Sequence, residues 1–130
     1  MSNPPFQTVR TTVWAKEVDI RRPIQDLYLG LFNHPLDSVI CRSIDNNSIA
    51  IVLEKSTTLP EQTLLSGGYC KTASAFRQQL EAILKKNLKL LLTDLSERPV
   101  TDIFSEYQPE TGNTSLIAVF GAAASQLKHL

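Results

Sequence analysis

Residues 38–54 read SVICRSIDNNSIAIVLE. Two runs rich in Ile and Val, Ser38 to Ile44 and Ser48 to Glu54, flank Asp45-Asn46-Asn47. Asp and Asn side chains bond their own main chain and tolerate left-handed backbone, so this spacing predicts a β-hairpin. The second run decides more than its own strand. A strand with one face in water alternates apolar with polar residues, yet in Ile49-Ala50-Ile51-Val52-Leu53 both alternating sets are apolar. Leu116-Ile117-Ala118-Val119-Phe120 repeats the pattern. Both faces of the sheet therefore need cover, supplied by the N-terminal segment and tail or by another subunit, and self-association as a homo-oligomer, a dimer first, is the expectation.

Working outward, Ile20, Ile24, Leu27, Tyr28 and Leu31 lie on one face of a helix, which Pro23 is expected to start and Asn33-His34-Pro35 to end. After the hairpin, Thr58-Leu59-Pro60-Glu61 has the spacing of a capping box, opening a short helix to Ser66 that stops at Gly67-Gly68. A long helix follows from about Cys70 to Leu95, with Phe76, Leu80, Ile83, Leu84, Leu88, Leu91, Leu92 and Leu95 as its apolar stripe. Arg77, Gln78, Lys85, Lys86 and Lys89 are assigned to its solvated side. Val100 to Tyr107 and Leu116 to Phe120, turned by residues 109–113, form a second hairpin. Gly121 to Leu130 has the composition of a short helix. The order α-ββ-αα-ββ predicts an α+β fold with an antiparallel four-stranded sheet and its helices on one side. Residues 1–12, with Pro4 and Pro5, read as a flexible arm before a single domain over 13–130.

Composition agrees with a folded domain: 42% of the 130 residues are hydrophobic and 20% charged. Thirteen basic residues balance thirteen acidic ones, so no global field draws in nucleic acid, and near-zero charge lowers the repulsion between copies. No apolar run approaches the ~20 residues of a membrane span, and the polar N-terminus is unlike a secretory signal, so a cytoplasmic protein is expected.

No metal, cofactor or nucleotide motif is present. Cys41 and Cys70 are isolated and expected to be reduced thiols. His34 and His129, the two histidines, sit in a loop and beside the C-terminus. The carboxylate pairs Asp45 with Glu54 and Asp102 with Glu106 read as strand-end and turn residues, and Glu61 as a cap. Nothing here makes an active site, so no enzyme is expected. One local candidate for an anion remains: at Ser66, Gly67, Gly68 and Tyr69, glycines before a helix could offer successive N–H groups, though no lysine of a nucleotide loop follows. Arg10, Lys16, Arg21 and Arg22 give the N-terminal segment a slight basic excess with Trp14 as its aromatic, too little for a nucleic-acid surface.

Taken in order, the Ile24, Leu27-Tyr28 and Leu31 helix, the hairpin ending Ala50-Ile51-Val52-Leu53-Glu54, the Thr58-x-x-Glu61-x-x-Leu64 helix start, the long helix bearing Arg77 and the final strand pair resemble the MpsC-like family of small bacterial proteins over about residues 17–120. The resemblance implies an accessory to a sodium-translocating, membrane-potential-generating system, with a protein partner at a membrane transport complex. It brings no catalytic or binding residues. The function expected is a non-enzymatic, self-associating interaction or regulatory protein; the alternative is a small-ligand or anion sensor.

Overall fold

The computed structural model describes residues 19–122. Its elements are α1 (Arg21–Phe32), β1 (Ser38–Asp45), β2 (Ser48–Glu54), α2 (Leu59–Ser66), α3 (Cys70–Ser96), β3 (Val100–Gln108) and β4 (Asn113–Phe120). The fold is the expected α+β, with two antiparallel hairpins joined into one four-stranded sheet of order β1-β2-β4-β3. The arm at 1–12, the basic residues Arg10 and Lys16, Trp14, the tail helix and His129 lie outside the described residues.

The helix α1 starts two residues before Pro23, at Arg21. Pro23 falls in the first turn, where backbone N–H groups have no partner inside the helix, so its missing donor costs nothing there. Asn33 ends α1 in left-handed conformation, φ 52°, with its N–H donated to the Leu29 carbonyl at 2.8 Å. In the first hairpin Asp45 Oδ1 accepts the Asn47 N–H at 2.8 Å and the Ser48 hydroxyl at 2.9 Å, the local bonding expected of this turn. The second hairpin is longer than its apolar run: β4 begins at Asn113, and its turn ends on Gly112 at φ 77°. The Gly112 carbonyl accepts the Ser56 N–H at 2.6 Å, so the turn of one hairpin is fastened to the exit of the other.

The two hairpins meet along β2 and β4, with Ala50 opposite Ile117 and Val52 opposite Ser115. One hydrophobic core lies on one face of the sheet. Val39, Cys41, Ile49, Ile51, Leu53, Leu116 and Ala118 supply its floor, and Ile24 and Tyr28 of α1 with Leu80, Leu84, Leu88 and Leu92 of α3 its roof. At the far end, Arg98 bonds the Asn46 carbonyl at 3.1 Å, Asn47 Oδ1 at 2.8 Å and the Gly121 carbonyl at 2.8 Å, pinning the first hairpin's turn to the end of β4.

Two assignments along α3 need correction. Phe76 and Ile83, placed by their spacing in the buried stripe, are exposed, and Arg77, placed by its charge in water, is buried. The buried line runs Ala73, Arg77, Leu80, Leu84, Leu88 and Leu92, steps of three and four residues, and leaves Phe76 and Ile83 on the flank.

Candidate interaction surface

Because side chains alternate across a strand, the residues between the core-facing ones form the opposite face of the sheet. Strand pairing arranges them in rows. One row runs Ile40, Val52, Ser115, Glu106 and the next Arg42, Ala50, Ile117, Phe104. Val119 and Asp102 extend the second pair of strands by one more step. Of the described helices, α1 and α3 pack on the other face, and α2 joins them through Glu61 and Arg77. The apolar members are consequently open: Ile40 is 37% exposed, Ile117 41% and Phe104 58%, with Ala50, Val52 and Val119 half-buried by their neighbours. A contiguous apolar surface rimmed by Arg42, Asp102 and Glu106 is the pattern of a binding face.

Inside the molecule the order is reversed, and polar groups occupy a buried position where α1, α2, α3 and the sheet converge. Arg77 on α3 is 6% exposed and Glu61 on α2 2%. Arg77 Nε donates to Glu61 Oε2 and Nη2 to Glu61 Oε1, both at 2.7 Å, a two-pronged pair. Nη2 also donates to the Ser56 carbonyl at 3.0 Å, which accepts the Tyr28 hydroxyl at 2.5 Å as well. The Tyr107 ring lies under the guanidinium, 4.0 Å from ring centre to carbon, and its hydroxyl bonds Thr57 Oγ1 at 2.5 Å. Glu61 keeps the role its spacing predicts: the Thr58 N–H and hydroxyl both donate to its Oε1, at 3.0 and 2.8 Å, within the capping box of α2. Burial opposes charge on Arg77, but the Glu61 carboxylate outweighs it, with help from nearby Tyr28, and holds the pKa above its ordinary value. Burial raises the Tyr28 phenol, against the pull of the Arg77 charge. Glu81, one turn along α3, adds a second carboxylate 3.8 Å from Arg77 Nη1; its Oε1 accepts the Ser105 hydroxyl at 2.8 Å, while its buried Oε2 has, among the described residues, only this longer ion-pair contact. Arg77 Nη1 also donates to the Thr114 hydroxyl of β4 at 3.4 Å, so the cluster fastens α1, α2, α3, β3 and β4 together.

The Ser66 to Tyr69 bend is the C-terminal cap of α2. The N–H groups of Gly67, Gly68 and Tyr69 are donated to the carbonyls of Thr63, Leu65 and Leu64 at 3.0, 3.1 and 2.8 Å, and Gly68 takes φ 85°. An anion at this bend would have to displace those bonds. The carboxylates stay apart in their pairs: Asp45 and Glu54 stand at opposite ends of the first hairpin, and Asp102 and Glu106 are separated by Phe104 on the outer face. Glu54 instead accepts the Ser38 hydroxyl. His34 bonds the Lys55 carbonyl at 2.6 Å, and Cys41 is buried while Cys70 is exposed. Among the described residues no cluster of three metal-binding side chains occurs, and no helix is long and apolar enough to cross a membrane.

A family model described as "Na+-translocating membrane potential-generating system (MpsC)" matches residues 13–122. The chain belongs to the MpsC family. No curated protein and no solved structure matches it. The family match takes in all seven described elements, so both the outer face and the Arg77 cluster belong to the MpsC-matching region. The outer face follows from the two-sided apolar strands at Ile49 and Leu116, whereas sequence reasoning missed the cluster. Arg77 carried a signal for it, since it falls at the spacing of Ala73 and Leu80 on the buried line. Nothing in the sequence tied it to Glu61, sixteen residues earlier and on another helix.

Proposed function

We propose that this MpsC-family chain is a non-enzymatic cytoplasmic protein that associates with itself through the outer face of its sheet and serves as an accessory to the membrane system named in its family's description. The observation that carries the reading is the open apolar surface spread over all four strands, on the side away from the core roofed by α1 and α3. Ile40, Val52, Ile117 and Phe104 lose their remaining contact with water when a like surface meets them, and, being already partly covered, each contributes only a fraction of the ~1.5–3 kcal/mol of a side chain taken from full exposure to full burial. Four partly covered apolar side chains make a modest patch, so a concentration-dependent dimer is expected.

Sedimentation equilibrium of the full chain tests the first half. A monomer–dimer equilibrium is expected, shifted to monomer by Ile117→Asp at the centre of the face. A strict monomer at high concentration overturns self-association. The second half is tested in the source cells by deleting the gene and following membrane potential with a potential-sensitive dye while sodium is varied. The expected result is an altered sodium dependence, restored by the wild-type chain and not by Ile117→Asp; an unchanged response overturns the accessory role.

A further inference from the structure

The outer face has a pattern of size and charge that selects how a second copy sits on it. This inference rests on the self-association proposed above. Two sheets stacked about a two-fold axis in the plane between them have two aligned solutions when the axis passes through the centre of the face. With the axis across the strands, each strand lies over its own copy, so Arg42 of β1 never reaches the carboxylates of β3; with the axis on the Ile117 row, Ile117 meets the partner's Ile117, Ala50 the partner's Ala50, and Arg42 the partner's Arg42. Large side chains then collide, small ones face an unfilled gap, and like charges oppose. With the axis along the strands, β1 lies over the partner's β3 and β2 over the partner's β4.

In that second arrangement each central pair sets a large residue against a small one. Ala50 faces the partner's Ile117, and Val52 the partner's Ser115, as follows from their places in the two rows. At the flanks, Arg42 of β1 comes over the partner's Phe104, the residue that stands between Asp102 and Glu106 on β3, and Ile40 comes over the partner's Glu106, one row from Arg42. The exposed ring and its two flanking carboxylates are a site for a guanidinium, by stacking and by charge. The symmetry produces the contact twice. Asp45, at the corner of the face, is engaged by the Asn47 N–H and Ser48 hydroxyl of its own turn.

We infer that the partner on this face is a second copy of the chain, docked with β1 over the partner's β3 so that Arg42 is clasped by the partner's Phe104, Asp102 and Glu106. Charge exchange is the test. Arg42→Glu should weaken the dimer roughly tenfold or more, and Asp102→Lys with Glu106→Lys should do the same, because each creates a like-charge contact in both halves. An equal mixture of the two variants should regain wild-type affinity as a heterodimer, since the carboxylate introduced at position 42 of one then meets the lysines of the other while the native contact survives in the second half. All three preparations are read by sedimentation, with circular dichroism showing that the exposed changes leave the fold intact. If both variants dimerise like wild type while Ile117→Asp is monomeric, or if the mixture fails to regain affinity, this docking is overturned and self-association stands. If Ile117→Asp also dimerises normally, or wild type is a monomer, the reading beneath it falls too.

Discussion

The interior cluster and the outer sheet face invert the usual placement of polar and apolar groups, and they do so to opposite ends. At Arg77 the molecule buries a charge and then meets it in full, with a carboxylate, a carbonyl, a hydroxyl and a ring. On the outer face it exposes Ile40, Ile117 and Phe104 and meets them with nothing from the described elements. The first departure is closed within the chain and serves the fold. The second is open to the described elements and is the surface we propose a partner covers. Satisfaction, more than polarity or burial, separates a structural feature from an interacting one.

The contrast breaks most visibly at Arg77. Arg77→Met alone leaves the buried Glu61 carboxylate without its counter-charge and should cost about 3–5 kcal/mol in urea unfolding. Adding Glu61→Leu should recover much of that loss, because the pair's worth lies in being complete; no recovery would mean that the cluster contributes through packing instead. On the outer face Ile117→Asp should do the reverse, changing the unfolding free energy of the monomer by ~1 kcal/mol or less while abolishing dimer. Equal damage to stability and assembly would erase the distinction between the regions.

The two cysteines sharpen the comparison. Burial, with a smaller push from Asp19, drives the Cys41 thiol up to about 12 from an ordinary 9.0. The unfolded chain then ionises first as pH rises, so it binds fewer protons than the folded one and Cys41's contribution to stability falls, by about 1.4 kcal/mol per pH unit between those values. Iodoacetamide should label Cys70 in the native protein and Cys41 only after unfolding, as mass spectrometry of the labelled peptides would show. The smallest effect expected is at the rim of the cluster: Thr58→Ala removes a helix cap and should cost ~1 kcal/mol by thermal unfolding.

Much of this architecture was legible in the chain because it is local. Asp45-Asn46-Asn47, the Thr58 to Glu61 box and Asn33 each act within a few residues, and the structure places a turn, a helix start and a helix end there. The apolar character of both sheet faces was legible too, since alternation is a property of one strand. The row structure was not, because β2 meets β4 across more than sixty residues and only that pairing brings Ala50 beside Ile117. Arg77 defeats a reading by charge for a related reason. Its charge argues for water, its spacing for the core, and the partner that settles the matter lies on another helix.

The strand order has a kinetic consequence. Each hairpin closes through a short turn, but β2 can meet β4 only after a loop containing all of α2, α3 and β3 has been drawn together. The central seam is thus the slow closure in assembly. Arg98, reaching from the end of α3 to the Asn46-Asn47 turn and Gly121, is placed to latch that seam once the halves arrive. Until the latch engages, two half-sheets with apolar margins are at large in the same solution, and a neighbouring chain's half is as good a match as its own, so exchange of hairpins between molecules is the hazard this topology carries.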